Sequence, residues 1–378
     1  MQKFPVYLDF NATNPMDPEV LQAMLPWFIE KPGNAGSRTH LYGQEARDAV
    51  ENARKHVAAH FRAKPEEIVF TSGATESNNL LLLGLVSFAN RTGKNHIIST
   101  SIEHKAILEP LQVLKKLGFE IDLVDVTAEG VVNPADVLER IRKNTLLVSV
   151  MHANNETGVL QPVEDISRLA ASNGVLFHTD AAQTFGKEAE TLASLDCDFA
   201  SISAHKICGP KGVGALLARR RGNSRAIEPI QFGGGQEWKL RPGTLPVPQI
   251  VGFGKAAELA ASHWRERKSA ATRIKEKLLE LLVAHGAIQN GSSMLTQSHV
   301  INVSIPGIDS EAFMMATKNI VSVSNGSACT SSAYQPSHVL TAMGLDEDRV
   351  SSAIRFSWGP GVDQVPTDEL DHVLRRIA

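Results

Sequence analysis

The feature that most limits how this chain can fold is an alternation of short, wholly apolar runs with helical stretches. Runs such as Leu146-Leu147-Val148-Ser149-Val150 and Ile68-Val69-Phe70 have no continuous polar face. A strand of that kind is covered on both sides, and its place is a mostly parallel sheet between layers of helices. Strands are predicted at residues 68–70, 96–100, 119–126, 146–151, 175–178, 198–203 and 212–217, with helices between them at 76–89, 105–117, 134–142 and 163–172. Ahead of this block, residues 18–28 and 44–61 read as helices, the first with Asp17 as its N-cap. After it come two helical stretches, 248–266 and 271–285, and then a looser mixture of short strands and helices. That last part reads as a smaller α+β domain.

Composition narrows the function. The chain has 378 residues, enough for a sizeable core, and its net charge of −3 gives no electrostatic footprint for nucleic acid. No apolar run reaches the ~20 residues of a membrane helix. The three cysteines, Cys197, Cys208 and Cys329, are too few for a disulfide framework, and no export signal precedes them. A reducing cytoplasm is expected, with no membrane, no direct nucleic-acid contact and no metal site.

The run Ser201-Ile202-Ser203-Ala204-His205-Lys206 brings a serine, a histidine and a lysine to the end of a buried strand. Desolvation disfavours a lysine's charge there, which makes Lys206 a candidate nucleophile or Schiff-base former. An isolated lysine would more often be a solvent-facing loop residue, so the company it keeps decides. Gly73-Ala74-Thr75 lies between a strand and a helix, where free N–H groups bind phosphate, although an ordinary turn can look the same. Asp180 ends a strand at the carboxyl edge, where it can pair with a protonated ring nitrogen or simply cap a helix. Gln183 could donate to a ring oxygen, and Ser203 and His205 to a phosphate. The imidazole of His104 is flat enough to stack on a ring. Arg355, among apolar neighbours, needs an anion, either a substrate carboxylate or an internal ion pair. Asn155 could hold the same carboxylate or the ring. Cys329 stands in a small, polar run, Gly326-Ser327-Ala328-Cys329-Thr330-Ser331-Ser332, expected as an exposed loop, whereas Cys208 beside Gly209-Pro210 reads as structural.

At these residues the chain resembles the cysteine desulfurases of the NifS/IscS type. The matching runs are Tyr7-Leu8-Asp9, Phe70-Thr71-Ser72-Gly73-Ala74-Thr75-Glu76-Ser77-Asn78, Glu103-His104, Asn154-Asn155-Glu156-Thr157-Gly158, Asp180-Ala181-Ala182-Gln183, Ser203-Ala204-His205-Lys206 and Gly326-Ser327-Ala328-Cys329-Thr330. The resemblance implies an α/β, aspartate-aminotransferase-like fold of type I with a mostly parallel seven-stranded sheet. It implies a large domain at 15–260 that binds pyridoxal 5'-phosphate, and a small domain of 1–14 plus 261–378 carrying the Cys329 loop. It implies Lys206 on the cofactor aldehyde, Asp180 at the ring nitrogen, Gln183 at the ring oxygen and His104 stacked on the ring. Ala74, Thr75, Ser203 and His205 would hold the phosphate, joined by Thr244 from a second subunit of a homodimer. Arg355 and Asn155 would bind the carboxylate of L-cysteine, Cys329 would take its sulfur as a persulfide for a protein acceptor, and His104 or Lys206 would move the proton.

The chain departs from the family's usual pattern at Asn11-Ala12, at Asn34-Ala35-Gly36-Ser37, and at Trp238-Lys239 and Pro242 ahead of Thr244. Its Asn34–His40 run, and an end just after the last helix where the housekeeping enzymes carry a further tail, resemble the DndA branch that serves DNA phosphorothioation. Iron–sulfur assembly is the other destination implied for the sulfur. The rival reading within the same fold is a selenocysteine lyase or an aminotransferase, which would have no need of Cys329.

Overall fold

The computed structural model describes residues 4–220, 225–325 and 335–377. The apolar runs assemble into one seven-stranded sheet in the order Ile68–Thr71, Gly214–Ala218, Phe199–Ser203, Leu176–Asp180, Thr145–Ser149, His96–Thr100, Glu120–Val124. Gly214–Ala218 runs antiparallel to both neighbours and all other pairings are parallel, so six of the seven strands point one way. This is the mostly parallel sheet expected from the sequence. Helices cover both faces, which is why residues such as Val69, Ile97, Leu147 and Leu216 are completely buried. Each such side chain is worth about 1.5–3 kcal/mol of transfer free energy.

The carboxyl ends of the parallel strands all reach one edge, and the chain leaves the sheet there in tight turns. Leu176–Asp180 ends on Asp180 itself, two residues beyond the expected strand end, and Phe199–Ser203 ends on Ser203. Thr71 leads into Gly73, whose φ of 156° and ψ of 178° suit glycine alone, and then into the helix Ala74–Gly84. Gly214 is needed beside it. A Cβ there would meet the Ile202 carbonyl oxygen at 2.4 Å and Gly73 Cα at 2.6 Å.

A second, three-stranded antiparallel sheet contains Ala353–Ser357, Val300–Ser304 and Ile288–Gln289. The N-terminal strand Val6–Tyr7 pairs in parallel with Val321–Ser322, and Asp9 bridges to Ser357. Both ends of the sequence therefore belong to this smaller region. Several expected helices differ from the observed ones, among them 76–89, which divides into Ala74–Gly84 and Val86–Thr92. Residues 18–28 form two pieces, Pro18–Met24 and Pro26–Ile29, because Pro26 restarts the helix. The two stretches expected after residue 247 form one helix, Val247–Ala284, about 57 Å long at the standard rise. The stretch Arg267-Lys268-Ser269-Ala270 is polar but holds no proline or glycine, so it marks an exposed turn of helix rather than a break. The first half of this helix packs into the core beneath the large sheet, and its second half sends Ala271, Ile274, Leu278 and Leu282 into the core beside the small one. Among the described residues no helix is long and apolar enough to cross a membrane.

The loop leading to Thr244 is fixed by a buried ion pair. Arg54 Nη1 and Nη2 each lie 2.7 Å from a carboxylate oxygen of Glu237, one of which also accepts from the Phe70 N–H at 2.7 Å. Glu237, Trp238 and Lys239 all have positive φ, at 45°, 54° and 69°. Such backbone persists only when its surroundings over-determine it. Here Trp238 lies against the Arg54 guanidinium at 4.6 Å and that of Arg225 at 5.1 Å. Burial lowers the pKa of Arg54, but the carboxylate of Glu237 more than offsets it. Replacing Glu237 with alanine leaves the buried Arg54 with only the half-exposed Glu51, 3.1 Å from its Nε, and the expected loss is about 3 kcal/mol, read as a lower urea midpoint. A midpoint within experimental error of wild type would refute the clamp.

Candidate active site

The turn Ala204–Ile207 follows the strand Phe199–Ser203 and carries Lys206. A strap from the beginning of the chain, residues 11–17, is laced along it. The Asn14 N–H donates to the His205 carbonyl at 3.1 Å, Asn14 Nδ2 to the Lys206 carbonyl at 2.8 Å, and the Asp17 N–H to the Cys208 carbonyl at 2.9 Å. Lys206 Nζ donates to the carbonyl oxygen of Ala12 at 2.8 Å and also to that of Asn11. The amine is thus aimed at the mouth of a cavity of about 450 Å³ along the carboxyl edge of the sheet, where open α/β folds bind ligands.

One end of the cavity is the helix N-terminus at Ala74 and Thr75. Gly73 is its N-cap and supplies no side chain to the first turn, so the free N–H groups face the cavity together with Ser203, His205 and Lys211. His205 Nδ1 lies 3.1 Å from Thr13 Oγ1. Burial, followed by the charges of Lys206, Lys211 and Lys187, pushes its pKa down to about 4, so it is a neutral hydrogen-bonding group at neutral pH. The other end holds Arg355, which is 2% exposed. Arg355 Nη2 lies 2.6 Å from Asp9 Oδ1 and Nη1 donates to the Asn155 carbonyl at 2.9 Å. Its Nε has no partner in the fold. The internal ion pair and the capacity for a further anion therefore coexist, because three of the five guanidinium N–H groups stay available.

Between these ends lies the carboxylate of Asp180, which is 7% exposed. Its oxygens accept from Asn78 Nδ2 at 2.8 Å and from the Ala182 N–H at 2.9 Å. Gln183 Nε2 donates to the Asn11 carbonyl at 3.0 Å, and its Oε1 is buried without a partner. His104 caps the helix Lys105–Lys116, with Nδ1 accepting from the Ala106 N–H at 3.0 Å. The hydrogen of the neutral ring therefore sits on Nε2. Burial holds this imidazole below its usual range, with Asp180 pulling upward and Lys206 pushing down. Glu103 is fully buried behind it. Its Oε1 accepts from Thr100 Oγ1 at 2.9 Å and from the Met151 N–H at 2.8 Å, and Oε2 has no partner.

The cavity brings Ala74, Thr75, His104, Asn155, Asp180, Gln183, Ser203, His205, Lys206 and Arg355 together. Thr244 is exposed and does not line it. Cys329 lies outside the described residues, but the chain on either side of that run is anchored at the cavity. Ser324 and Arg355 exchange backbone hydrogen bonds, Ser337 Oγ lies 2.5 Å from Glu156 Oε2, and His338 Nε2 lies 3.0 Å from the Glu103 carbonyl. The other two thiols are buried. Cys197 is pushed up to about 12 and Cys208 is also raised, both chiefly by burial, so neither is a ready nucleophile. Two contributors were missed from sequence. Asn78 orients Asp180, and Asn11 donates to the Asn155 carbonyl at 3.1 Å while its own carbonyl receives Gln183 and Lys206. The departure at Asn11-Ala12 was the signal for the second. The first had only its place one helical turn after the glycine turn.

The donor set suits pyridoxal 5'-phosphate. There is a free helix N-terminus for a phosphate, a carboxylate fixed at mid-cavity for a ring nitrogen, and an amine for an aldehyde. Among the described residues no group of three or more His, Cys, Asp or Glu side chains is placed to hold a metal ion.

Comparison with known proteins adds to this geometry. The family profile described as aminotransferase class-V matches residues 6–369. The chain is 45% identical over 382 residues to the cysteine desulfurase IscS of an Anaeromyxobacter species, covering 99% of this chain and 92% of that one. It superposes on a NifS-like protein with a TM-score of 0.89 at 37% identity, covering 99% and 98% of the two chains. It superposes on the crystal structure of DndA from Streptomyces lividans with a TM-score of 0.83 at 45% identity, covering 93% and 98%.

Burial raises the Glu103 carboxyl from 4.5 to about 8, and the nearby charge of Asp180 adds to the effect. Between those values the folded state holds a proton that the unfolded chain has released, so stability falls as pH rises through that window. Glu103→Gln keeps the shape and removes the titration. Wild type should lose urea-midpoint stability relative to this variant between about pH 5 and about pH 8. A difference that stays constant across the range would exclude a protonated Glu103.

Proposed function

The chain belongs to the class-V aminotransferase family and is a cysteine desulfurase; on that premise we propose that it binds pyridoxal 5'-phosphate in the cavity at Lys206 and moves sulfur from L-cysteine to Cys329. The observation that carries the reading is the shared cavity itself: an amine, a fixed carboxylate, a bare helix N-terminus and a buried arginine line one space of about 450 Å³. The lobes we assign are residues 15–260 for the cofactor and 1–14 with 261–378 for the Cys329 segment. In the working enzyme Thr244, exposed on its own chain, serves the site of a second copy.

When bound, the cofactor supplies an electron sink that makes the Cα proton and the Cβ–S bond of cysteine labile. The protein's own groups do the rest. Lys206 would hold the cofactor aldehyde, and its amine is the group that would accept the Cα proton. Asp180, braced by Asn78, would keep the ring nitrogen protonated. His104 would face the ring and offer its Nε2–H. Ala74, Thr75, Ser203 and His205 would hold the phosphate, and Gln183 would meet the ring oxygen. Arg355, held in place by Asp9 and the Asn155 carbonyl, receives the substrate carboxylate, with the Asn155 side chain beside it.

Cys329 is four residues along the sequence from Asn325, which follows the Arg355-paired Ser324. Its thiolate attacks the cysteine sulfur, an S–S bond forms as the Cβ–S bond breaks, and Cβ takes up a proton. L-Alanine and a persulfide on Cys329 result, and the persulfide passes to a protein acceptor. A gene deletion that depletes DNA sulfur before iron–sulfur enzymes fail assigns the phosphorothioation branch, and the opposite order assigns cluster assembly.

Cys329→Ala is expected to keep its yellow cofactor while alanine release from cysteine falls at least about a hundredfold. Lys206→Ala is expected to retain no cofactor on borohydride treatment. Alanine release surviving in Cys329→Ala would favour a lyase, whereas a sulfur-bearing keto acid in place of alanine would favour an aminotransferase. Arg355→Lys keeps the charge but loses the fork, and KM for cysteine should rise at least about tenfold with a smaller change in kcat. An unchanged KM would place the substrate carboxylate elsewhere.

A further inference from the structure

Behind the turn that carries Lys206 lies a second cavity, of about 340 Å³. Lys206 lines both cavities, while Ile207 and Cys208 face the second. The rest of its wall comes from the N-terminal strap, residues 186–188 and 298–299, the middle of the helix Val247–Ala284 and the chain from Trp358 onward. Leu259, Trp264, Ile274 and Trp358 make much of that wall apolar.

Lys187 enters this space. Its Nζ lies 3.1 Å from Nε2 of the buried His299. Of the carboxylates that line the space, Glu188 pairs with Lys268 at 3.0 Å, Asp17 with Arg267 at 3.6 Å and Glu19 with Lys255 at 3.2 Å, and Glu266 and Asp363 also border it. Among the described residues Lys187 makes no ion pair with a carboxylate of its own. Burial pushes its amine down to about 8, against the smaller opposing pull of Cys208 and Glu188. Burial, then the charges of Lys187, Lys275 and Lys268, drives His299 well below its usual range, so the imidazole stays neutral beside the amine. The result is an amine whose neutral form is accessible at physiological pH, oriented by a ring nitrogen, and open to a largely apolar chamber.

We propose that Lys187 and this chamber, which shares the Lys206 turn with the desulfurase centre, form a second amine site that captures a small aldehyde with an apolar body. The Lys187 nitrogen adds to the carbonyl carbon, the C=O bond is lost, and a C=N bond forms as one water molecule leaves. No oxidant or reductant is consumed.

The test uses the cofactor-loaded wild-type enzyme near neutral pH with limiting benzaldehyde and cyanoborohydride, which fixes the imine by reduction. Peptide mass spectrometry then reads benzylation at each lysine. Lys187 is expected to react at least about tenfold faster than the exposed Lys55, Lys116 and Lys143. Benzyl alcohol in excess, which has the same shape without the carbonyl, is expected to slow Lys187 and leave Lys55 unaffected. Labelling of Lys187 no faster than the exposed lysines overturns the reactive amine. Labelling that benzyl alcohol does not slow, or slows equally at Lys55, overturns the chamber.

Discussion

The site depends on the lacing of one short strap against one short turn. Residues 11–17 come from the start of the chain and the turn at 204–208 from its middle, yet the Asn14 and Asp17 N–H groups, the Asn14 side-chain amide and the Lys206 amine join them through five hydrogen bonds. The strap's carbonyls hold the amine of Lys206. The same Asn11 carbonyl receives Gln183, and the side chain of Asn11 reaches the carbonyl that also receives Arg355. Lys206, Gln183 and the Asn155 carbonyl that holds Arg355 are thereby tied to one dipeptide. Because Val6–Tyr7 belongs to the small-sheet region, the strap also places that region against the carboxyl edge of the large sheet.

Desolvation is the second organising force. It depresses His152 to about 4, His178 to about 3 and His205 to about 4, and raises Glu103 to about 8. Around a desulfurase centre this thins out competing charge. The histidines beneath the site act as neutral hydrogen-bonding spacers, as where His178 lies between Ser149 and Ser201. Glu103 contributes a carboxyl group without a second full charge beside Asp180. Low dielectric then strengthens the few polar contacts that remain aimed into the cavity.

Much of this was legible in the sequence, and what was legible follows from local physics. Uniformly apolar runs gave the parallel sheet, because a two-sided burial requirement is visible residue by residue. Asp17 was readable as a cap because its reach is only two residues. The single helix Val247–Ala284 was misread as two, because an exposed polar turn and a linker have the same composition. Asn78 was passed over because its partner, Asp180, is 102 residues away and nothing local marks the pairing.

By itself the sequence determined the sheet, the residue types gathered at its carboxyl edge, and the family to which they point. Those depend on periodicity and on short motifs, and both are properties of neighbouring residues. Only the tertiary structure decided which groups keep their charge, which carbonyls aim the amine of Lys206, and that Arg355 is anchored by Asp9 while retaining free donors. It also decided that Lys187 and His299 share a chamber behind the turn. Each of these is set by burial and by contacts between distant segments, and a linear sequence does not carry that information until the chain has closed on itself.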